Sequence, residues 1–484
     1  MSKKNRNDQV PTPVDYVDEM LNRIGYTDNV VGKVVLENSC GQGNILISIV
    51  YRYIMDAKRL GLSKEETKIG LERDIIAFET DINQIKICRE RLNKICDQEG
   101  IQAVQWNILH QDFLKYDMNK LNVSYIIGNP PYITYHDIDE NERKFLKEHF
   151  KVCEKGRFDY CYAFIEASIN AMGSDGRMIY LIPFSIFRNR YAENLRKFIR
   201  EGTVSVIDFS GRKVFPGITC SVALLIYEKE NKNKQIIYKK YDEKEIRVIE
   251  RNELCKNGKK WIFYNTTVGE RRFGDYFNVY NGVATLLNEA FLISPKKENH
   301  YDFIMDKGKV EKSVCLPAIS TKTVKKKVKL IKGEKKRQEY IIFPYNLDRG
   351  YLTRYSENEF ATFFPHAYEY MKQFKTKLEN RKAEKNAKWF EYGRGQVLNE
   401  LWQQKLIMPM VVTKQSRVYK ADEKTVPYAG YFVTRKEDSI YTLEDAELIL
   451  QSEEFYQYIK EVGTPTTETS FRVSVNDIKE YKFE

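Results

Sequence analysis

The sequence predicts an α/β domain with a mostly parallel sheet, joined to a second domain of α+β character. Three features carry this. The chain has 484 residues, and at roughly 100–200 residues per domain that length calls for more than one. Its first half alternates short apolar runs with amphipathic stretches, the rhythm of βαβ units. That rhythm stops where polarity rises at 228–260 (EKENKNKQ, YDEKE, CKNGKK), a stretch that suits either a linker or a poorly buried edge. Beyond it, short β-like runs mix with aromatics, and the chain is divided into domains 1–240 and 241–484.

In order, strands are expected at 33–36, 75–78, 125–127, 177–182, 204–209 and 222–227, each a short apolar run. Helices are expected at 45–60, 83–95, 160–172 and 192–200. Gly61-Leu62 breaks the pattern before the second strand, and Ser63-x-x-Glu66 has the spacing of a capping box, so a helical insertion should open there. Ligands of such sheets bind at the carboxyl ends of the strands.

Hydrophobic residues make up 42% and charged residues 30%, with 13 Pro and 25 Gly, which excludes disordered and collagen-like classes. The longest nearly apolar run, 178–187, is far short of the roughly 18 residues a membrane helix needs, and the start (MSKKNRNDQ) has no apolar signal core. A cytoplasmic protein is expected. The eight cysteines form no CxxC pair and the five His show no ligand spacing, so reduced core thiols and no metal are expected.

The net charge of +11 is unevenly spread. Residues 1–230 hold 32 basic and 32 acidic side chains, residues 231–400 hold 36 against 22, and residues 401–484 hold 11 against 14. Two explanations fit equally: solvated surface lysines, or a second half that faces a polyanion. Residues 321–337 are the most basic segment.

Val34 to Asn44 (VVLENSCGQGN) is a strand, a Gly-rich turn and a helix start, which lets a nucleotide-like ligand lie close to backbone, although such turns also occur with no ligand. The dinucleotide version wants a third Gly where Leu46 stands and an acid about 20 residues further on, where none is suitably placed, so pyrophosphate binding is disfavoured. Glu79, at the end of the second strand, can accept both hydroxyls of a ribose, or be a solvated strand-end carboxylate. Asp112 can accept from an exocyclic adenine amine, or be a turn residue.

The decisive segment is Asn129-Pro130-Pro131-Tyr132, directly after an apolar strand. The prolines stiffen the backbone and lack N–H groups. The Asn129 side-chain carbonyl and the Pro130 carbonyl make a two-acceptor fork for one –NH2 group, with Tyr132 as a flat stacking face. An amine held by both hydrogens is driven towards tetrahedral geometry and becomes nucleophilic without full deprotonation.

With these segments in this order, the chain resembles the gamma-class DNA adenine-N6 methyltransferases of restriction–modification systems, the TaqI-like amino-methyltransferases, over nearly its full length. The resemblance implies a class I S-adenosylmethionine-dependent methyltransferase domain, Rossmann-like with a mixed seven-stranded sheet, followed by a DNA target-recognition domain. Gln9-Val10-Pro11-Thr12-Pro13 is similar to the family's first motif and implies that Thr12 and Pro13 touch S-adenosylmethionine. Glu37 to Gly43 matches the cofactor loop, implicating Glu37, Ser39, Cys40, Gly41 and Gly43, although Glu37-Asn38 replaces the usual Asp-Pro. Glu79 falls at the ribose-binding acid, Asp112-Phe113 at the adenine contact, and Asn129 to Tyr132 at the catalytic tetrapeptide. Lys213-Val214-Phe215-Pro216 resembles the motif whose aromatic stacks on the flipped base, which pairs Phe215 with Tyr132 as a clamp. In the second half, 280–285 with 290–293 and Trp389 to Gln396 resemble recognition-domain segments, implying DNA contacts by Arg394 and Gln396, with Lys325, Lys326 and Lys327 as basic candidates.

The implied reaction is methyl transfer to adenine N6 in double-stranded DNA, on a base rotated out of the stack. Enzymes that methylate protein glutamine or ribosomal RNA adenine share Asn-Pro-Pro-aromatic segments and are the nearest alternative; a silent specificity subunit is disfavoured by the intact cofactor loop. Cytosine-N4 enzymes more often have Ser or Asp before Pro-Pro, and a cytosine-C5 enzyme needs a Pro-Cys dipeptide, absent here. With so few residues before the first motif and no nuclease acid cluster, cleavage is expected from a separately encoded restriction endonuclease. The chain is expected to act as a monomer or weak dimer.

Overall fold

Short apolar runs bounded by polar turns become the strands of one nine-stranded sheet. The computed structural model describes residues 11–484 except 211, 213, 216–220, 255–259, 264–268, 322–337, 349–350, 415 and 468. In chain order the strands are β1 (Val35–Glu37), β2 (Ile75–Glu79), β3 (Asn107–His110), β4 (Val123–Gly128), β5 (Met172–Pro183), β6 (Thr203–Asp208), β7 (Val222–Glu228), β8 (Gln235–Lys240) and β9 (Ile246–Glu250). Their spatial order is β3-β2-β1-β4-β5-β7-β6-β8-β9. The ladders from β3 to β5 are parallel, and β7 runs antiparallel to both β5 and β6.

Burial follows the two-residue period of a strand covered on both faces. Leu36, Ile126, Met178 and Tyr180 enter one core; Val35, Ile127, Ile179 and Leu181 enter the other. The first core is built around α6 (Tyr160–Ala171), and the second takes apolar residues from α1 (Val14–Ile24), α2 (Asn44–Arg59) and α4 (Ile82–Gln98). The inserted helix, α3 (Lys64–Asp74), begins where its capping box predicts: Ser63 Oγ accepts from the Glu66 N–H and Glu66 Oε2 accepts from the Ser63 N–H.

The sheet has two strands more than the seven expected. The polar stretch after 228 is an edge hairpin, because Ile236 and Tyr238 point inward, buried, while charged residues occupy its turns and Ile237, Ile246 and Val248 lie exposed on its outer face. Tyr238 donates to Asp208 Oδ2 at 2.6 Å and stacks on Phe263 with ring centroids 4.4 Å apart. The first compact unit therefore runs past residue 240. It comprises Met1–Asn265 with Thr464–Thr469, and the second comprises Thr266–Gly463 with Ser470–Glu484. The second unit is α+β, with small sheets around its own core and helices such as Pro365–Lys372 and Glu453–Val462. Among the described residues no helix is long and apolar enough to cross a membrane, and the described cysteines are buried thiols outside any disulfide.

Asp159, half-buried at the N-terminal end of α6 in the first unit, is a cost to the fold when ionised: burial pushes its carboxyl up to about 6 against an opposing hydrogen bond from Tyr162. A raised folded value means that the native state holds a proton the unfolded chain gives up, so stability falls as pH rises from about 4 through 6. We expect Asp159→Asn to raise Tm by about 2–4 °C at pH 8 and to leave it unchanged at pH 4 in a thermal melt series. An equal shift at both pH values would refute the assignment.

Candidate active site

Because β1, β2 and β4 are parallel neighbours, Glu37, Glu79 and Asn129 emerge at the same end of the sheet. The loop after β1 is held to β2 by the Cys40 N–H on Phe78 O (3.0 Å) and the Gly41 N–H on Glu79 Oε2 (2.9 Å). Glu79 Oε1 accepts from the N–H groups of Thr80 (2.7 Å) and Asp81 (2.9 Å). This carboxylate thus gathers three backbone donors and, at 3.4 Å, the Thr80 hydroxyl, which fills its roughly four acceptor positions; a ligand hydroxyl would replace the long Thr80 contact. Gly43 has φ +80° at the start of α2, and a Cβ there would lie 2.5 Å from Cys88 Sγ, so both conformation and space demand glycine.

Glu37 and Asn38 are 3% and 2% exposed. No hydrogen bond reaches Glu37 Oε2 or Asn38 Oδ1 from the described residues. Burial holds the Glu37 carboxyl well above the usual carboxylate range, with Cys88 and Glu79 adding to the rise and the Leu46 N–H opposing it. Two buried, unmatched acceptors at a strand end call for donors from a ligand, which fits a cationic, hydroxyl-bearing cofactor.

Asn129 Nδ2 donates to Thr12 Oγ1 at 3.2 Å, and Ser39 Oγ donates to the Asn129 main-chain carbonyl at 3.3 Å. Thr12 is itself buried and its carbonyl accepts from Asn44 Nδ2 at 3.2 Å; Pro13 caps α1. The amide of Asn129 is thereby oriented, NH2 towards Thr12 and carbonyl to the other side. Pro130 is buried, and Pro131 and Tyr132 are half-buried. The Tyr132 hydroxyl donates to Leu181 O at 2.8 Å.

Phe215 is 3% exposed and meets Tyr132 edge-on, centroids 6.3 Å apart at 67°. A base stacked on both rings needs parallel faces about 7 Å apart, so Phe215 must turn before the pair can hold one. Asp112 accepts from the Leu114 N–H at 3.0 Å and pairs with Lys115 at 3.3 Å, while Phe113 is buried edge-on against Phe78.

Sequence reasoning missed the layer beneath. Asn38 Nδ2 donates to Ser168 Oγ (2.8 Å) and to the Tyr180 hydroxyl, and the two hydroxyls are 2.6 Å apart. Tyr180 lies opposite Gly128 in the β4–β5 register, its ring 3.0 Å from where a Gly128 Cβ would stand. The available signal was the Tyr180 hydroxyl within the apolar run of β5; Ser168 stands in α6 between Glu166 and Asn170 and is not singled out by its neighbours.

In the second unit, 280–285 and Trp389–Gln396 come together. The Arg394 N–H donates to Ala284 O at 3.1 Å and the Gly393 N–H to Thr285 O at 3.3 Å. Trp389 to Tyr392 face inward: Phe390 stacks on Phe360 and the buried Glu391 carboxylate takes Arg354. Arg394 and Gln396 are exposed, and Lys325, Lys326 and Lys327 lie outside the described residues. Asp302, Glu311 and His366 offer ligand atoms within 4.8 Å of one another, but Glu311 already takes the N–H groups of His366 and Ala367, and Asp302 takes His366 Nδ1; hydrogen bonding accounts for the cluster.

The strand order and these strand-end loops define a class I methyltransferase fold with a second α+β unit attached. Residues 50–215 match the Eco57I restriction-modification methylase family. It is 23% identical over 427 residues to the Type II methyltransferase M.BstVI of Geobacillus stearothermophilus, covering 77% of this chain and 72% of that one. It is 22% identical over 478 residues to the Type II restriction enzyme and methyltransferase RM.Eco57I of Escherichia coli, covering 81% of this chain and 48% of that one. The fold is similar to that of the Type IIL restriction-modification enzyme MmeI, solved in complex with DNA, with a TM-score of 0.59 and 13% identity over 97% of this chain and 66% of the other.

The polar layer can be weighed directly. Tyr180→Phe removes the hydroxyl shared by Asn38 and Ser168 and strands buried groups, so we expect a loss of about 1–3 kcal/mol in urea unfolding. A change within the fitting error would show that the layer does not hold the strand ends.

Proposed function

We propose that the chain is a site-specific DNA methyltransferase that moves a methyl group from S-adenosylmethionine to N6 of an adenine turned out of the duplex, as the modification enzyme of a restriction–modification system with a separately encoded endonuclease as partner. The observation that carries this is the oriented Asn129 amide, followed by two prolines and Tyr132, beside the unmatched acceptors of Glu37 and Asn38. Kinship with restriction–modification methylases supports it.

When bound, the cofactor supplies a methyl group made electrophilic by its sulfonium. Glu37 and Asn38 would hold its ammonium end and Glu79 its ribose, with Asp112 and Phe113 at the adenine. The Asn129 side-chain carbonyl and the Pro130 carbonyl hold both hydrogens of the target amine, directing its lone pair at the methyl and stabilising the positive charge that grows on nitrogen. The proton lost from that nitrogen passes to water. Thr12 keeps the Asn129 carbonyl turned to the amine, and Tyr132 stacks on the extruded ring, a contact worth about 1–3 kcal/mol.

Single-molecule sequencing of DNA from an expressing host should reveal N6-methyladenine at one short sequence; modification of another base, or none, would overturn the reading. Asn129→Ala should abolish transfer, and Thr12→Val should lower it about tenfold, the worth of one hydrogen bond, with cofactor affinity by calorimetry unchanged in both. Parallel loss of affinity would assign these residues to the cofactor instead.

Glu37 adds a pH signature. Its raised carboxyl must ionise to meet an ammonium, so cofactor binding should release a proton and weaken as pH falls. Calorimetry in buffers of different ionisation heat measures that proton, and Glu37→Gln should abolish the release. A wild-type protein that releases none would count against the contact.

A further inference from the structure

The second unit carries an exposed tip whose backbone is strained and whose base is rigid. Leu286 has φ +59° and is 42% exposed. A leucine rarely adopts the left-handed region, where glycine or asparagine is the ordinary choice, and an apolar residue kept there on the surface points to function. Its side chain lies across Gly393, where a Cβ would come within 2.5 Å of Leu286 Cδ1. The bare glycine is what allows the two turns to meet.

Everything beneath the tip is tied down. Thr285 is fully buried, its carbonyl accepts from Arg381 Nη1 at 2.6 Å and from the Gly393 N–H, and its hydroxyl accepts from the Leu287 N–H at 3.2 Å. The Gly393 carbonyl accepts from the Glu384 N–H at 2.9 Å, and Arg394 is fixed by its own N–H on Ala284 O. From this base Leu286, Arg394 and Gln396 stand out exposed. No described residue hydrogen-bonds or pairs with the Arg394 guanidinium or the Gln396 carboxamide, nor with the ammonium groups of Lys382 and Lys385, which lead into the turn. Nearby cations are engaged: Lys375 with Glu357, Lys377 with Glu289, and Arg354 with Glu391.

We propose that this tip is the element that reads base edges in DNA. Leu286 makes the apolar contact, on a thymine methyl or an opened base step; Arg394 and Gln396 hydrogen-bond to purine edges, as guanidinium and carboxamide groups do bidentately; Lys382 and Lys385 meet phosphates. The inference rests on the DNA-methylating reading above and adds to it which residues choose the sequence. The strained backbone lays an apolar side chain over Gly393, still partly exposed and next in line to a cation, an arrangement a relaxed turn would not present.

The test uses the full chain, expressed in a host without adenine methylation and then purified. Sequencing of host DNA defines the modified sequence, and fluorescence anisotropy compares a labelled duplex bearing it with a scrambled duplex. Leu286→Gly should melt at the same temperature as wild type or higher, because glycine adopts this φ freely, while preference for the cognate duplex falls about tenfold and modified sites become degenerate. Arg394→Ala should relax one base pair of the sequence, whereas Lys382→Ala should leave the sequence unchanged and lower the salt slope of binding by about 1. Leu448→Ala, at a more exposed apolar site elsewhere in the unit, should change neither. Wild-type protein that modifies DNA while Leu286→Gly and Arg394→Ala keep the same sequence and preference would overturn the tip but leave the DNA reading intact. A fall in the melting temperature of Leu286→Gly would make Leu286 structural and overturn its role. Wild-type protein that neither binds nor modifies DNA would overturn both readings.

Discussion

A parallel sheet covered on both faces can expose polar groups at one place only, the ends of its strands, and each group that surfaces there must find a partner. In this protein the Glu79 carboxylate meets most of that demand. By accepting the N–H groups of Thr80, Asp81 and Gly41 it joins the turn after β2 to the loop after β1. Cys40 adds a main-chain bond to Phe78, and Ser39 reaches the Asn129 carbonyl. Three strand ends become one connected surface. The acceptors this leaves unmatched, Glu37 Oε2 and Asn38 Oδ1, lie within that surface and can take donors from outside the chain.

The same constraint gives Asn38 a role that a proline at this position could not fill. A proline would present no side-chain donor to the polar pair behind it. Asparagine sends its NH2 inward to Ser168 and Tyr180 and leaves its carbonyl towards Gly128, the residue just before Asn129. The cofactor loop and the tetrapeptide thus share a polar footing that also passes through α6 and β5. Such a footing is worth more than its separate bonds when every member is matched, and costs most when one is removed.

How much of this was legible in the sequence depended on the range of the interaction. Strands β1, β2 and β4 to β7 follow from local apolar runs, and the start of α3 from four residues of capping chemistry. The Asn-Pro-Pro-Tyr segment is legible because its backbone carries its meaning. β3 was missed because only Ile108 of its four residues is buried. The β8–β9 hairpin was obscured by the charges in its turns, although Ile236 and Tyr238 alternate as an inward face must. The partnership of Thr12 with Asn129 spans 117 residues and leaves no local trace. Neither does the edge-on burial of Phe215, which a sequence motif reports only as an aromatic.

Charge is the case where counting misleads most. The whole excess of +11 lies beyond residue 230, yet many cations of that region hold the fold together. Arg381 spans the carbonyls of Thr285 and Trp389, and Arg354 is clamped on Glu391. Lys405, only 1% exposed, donates to Asp422 O at 2.6 Å and Thr425 O at 3.1 Å, and its burial brings the ammonium down to about 8. A lysine spent this way adds to the net charge but presents nothing to a phosphate. Affinity for a polyanion follows from cations that release counterions on contact, and those must be exposed and unpaired in the free protein. Lys382, Lys385 and Arg394 meet that condition around one turn. It is therefore the distribution of unpaired charge over a rigid surface, more than the sum, that the proposed nucleic-acid partner would meet.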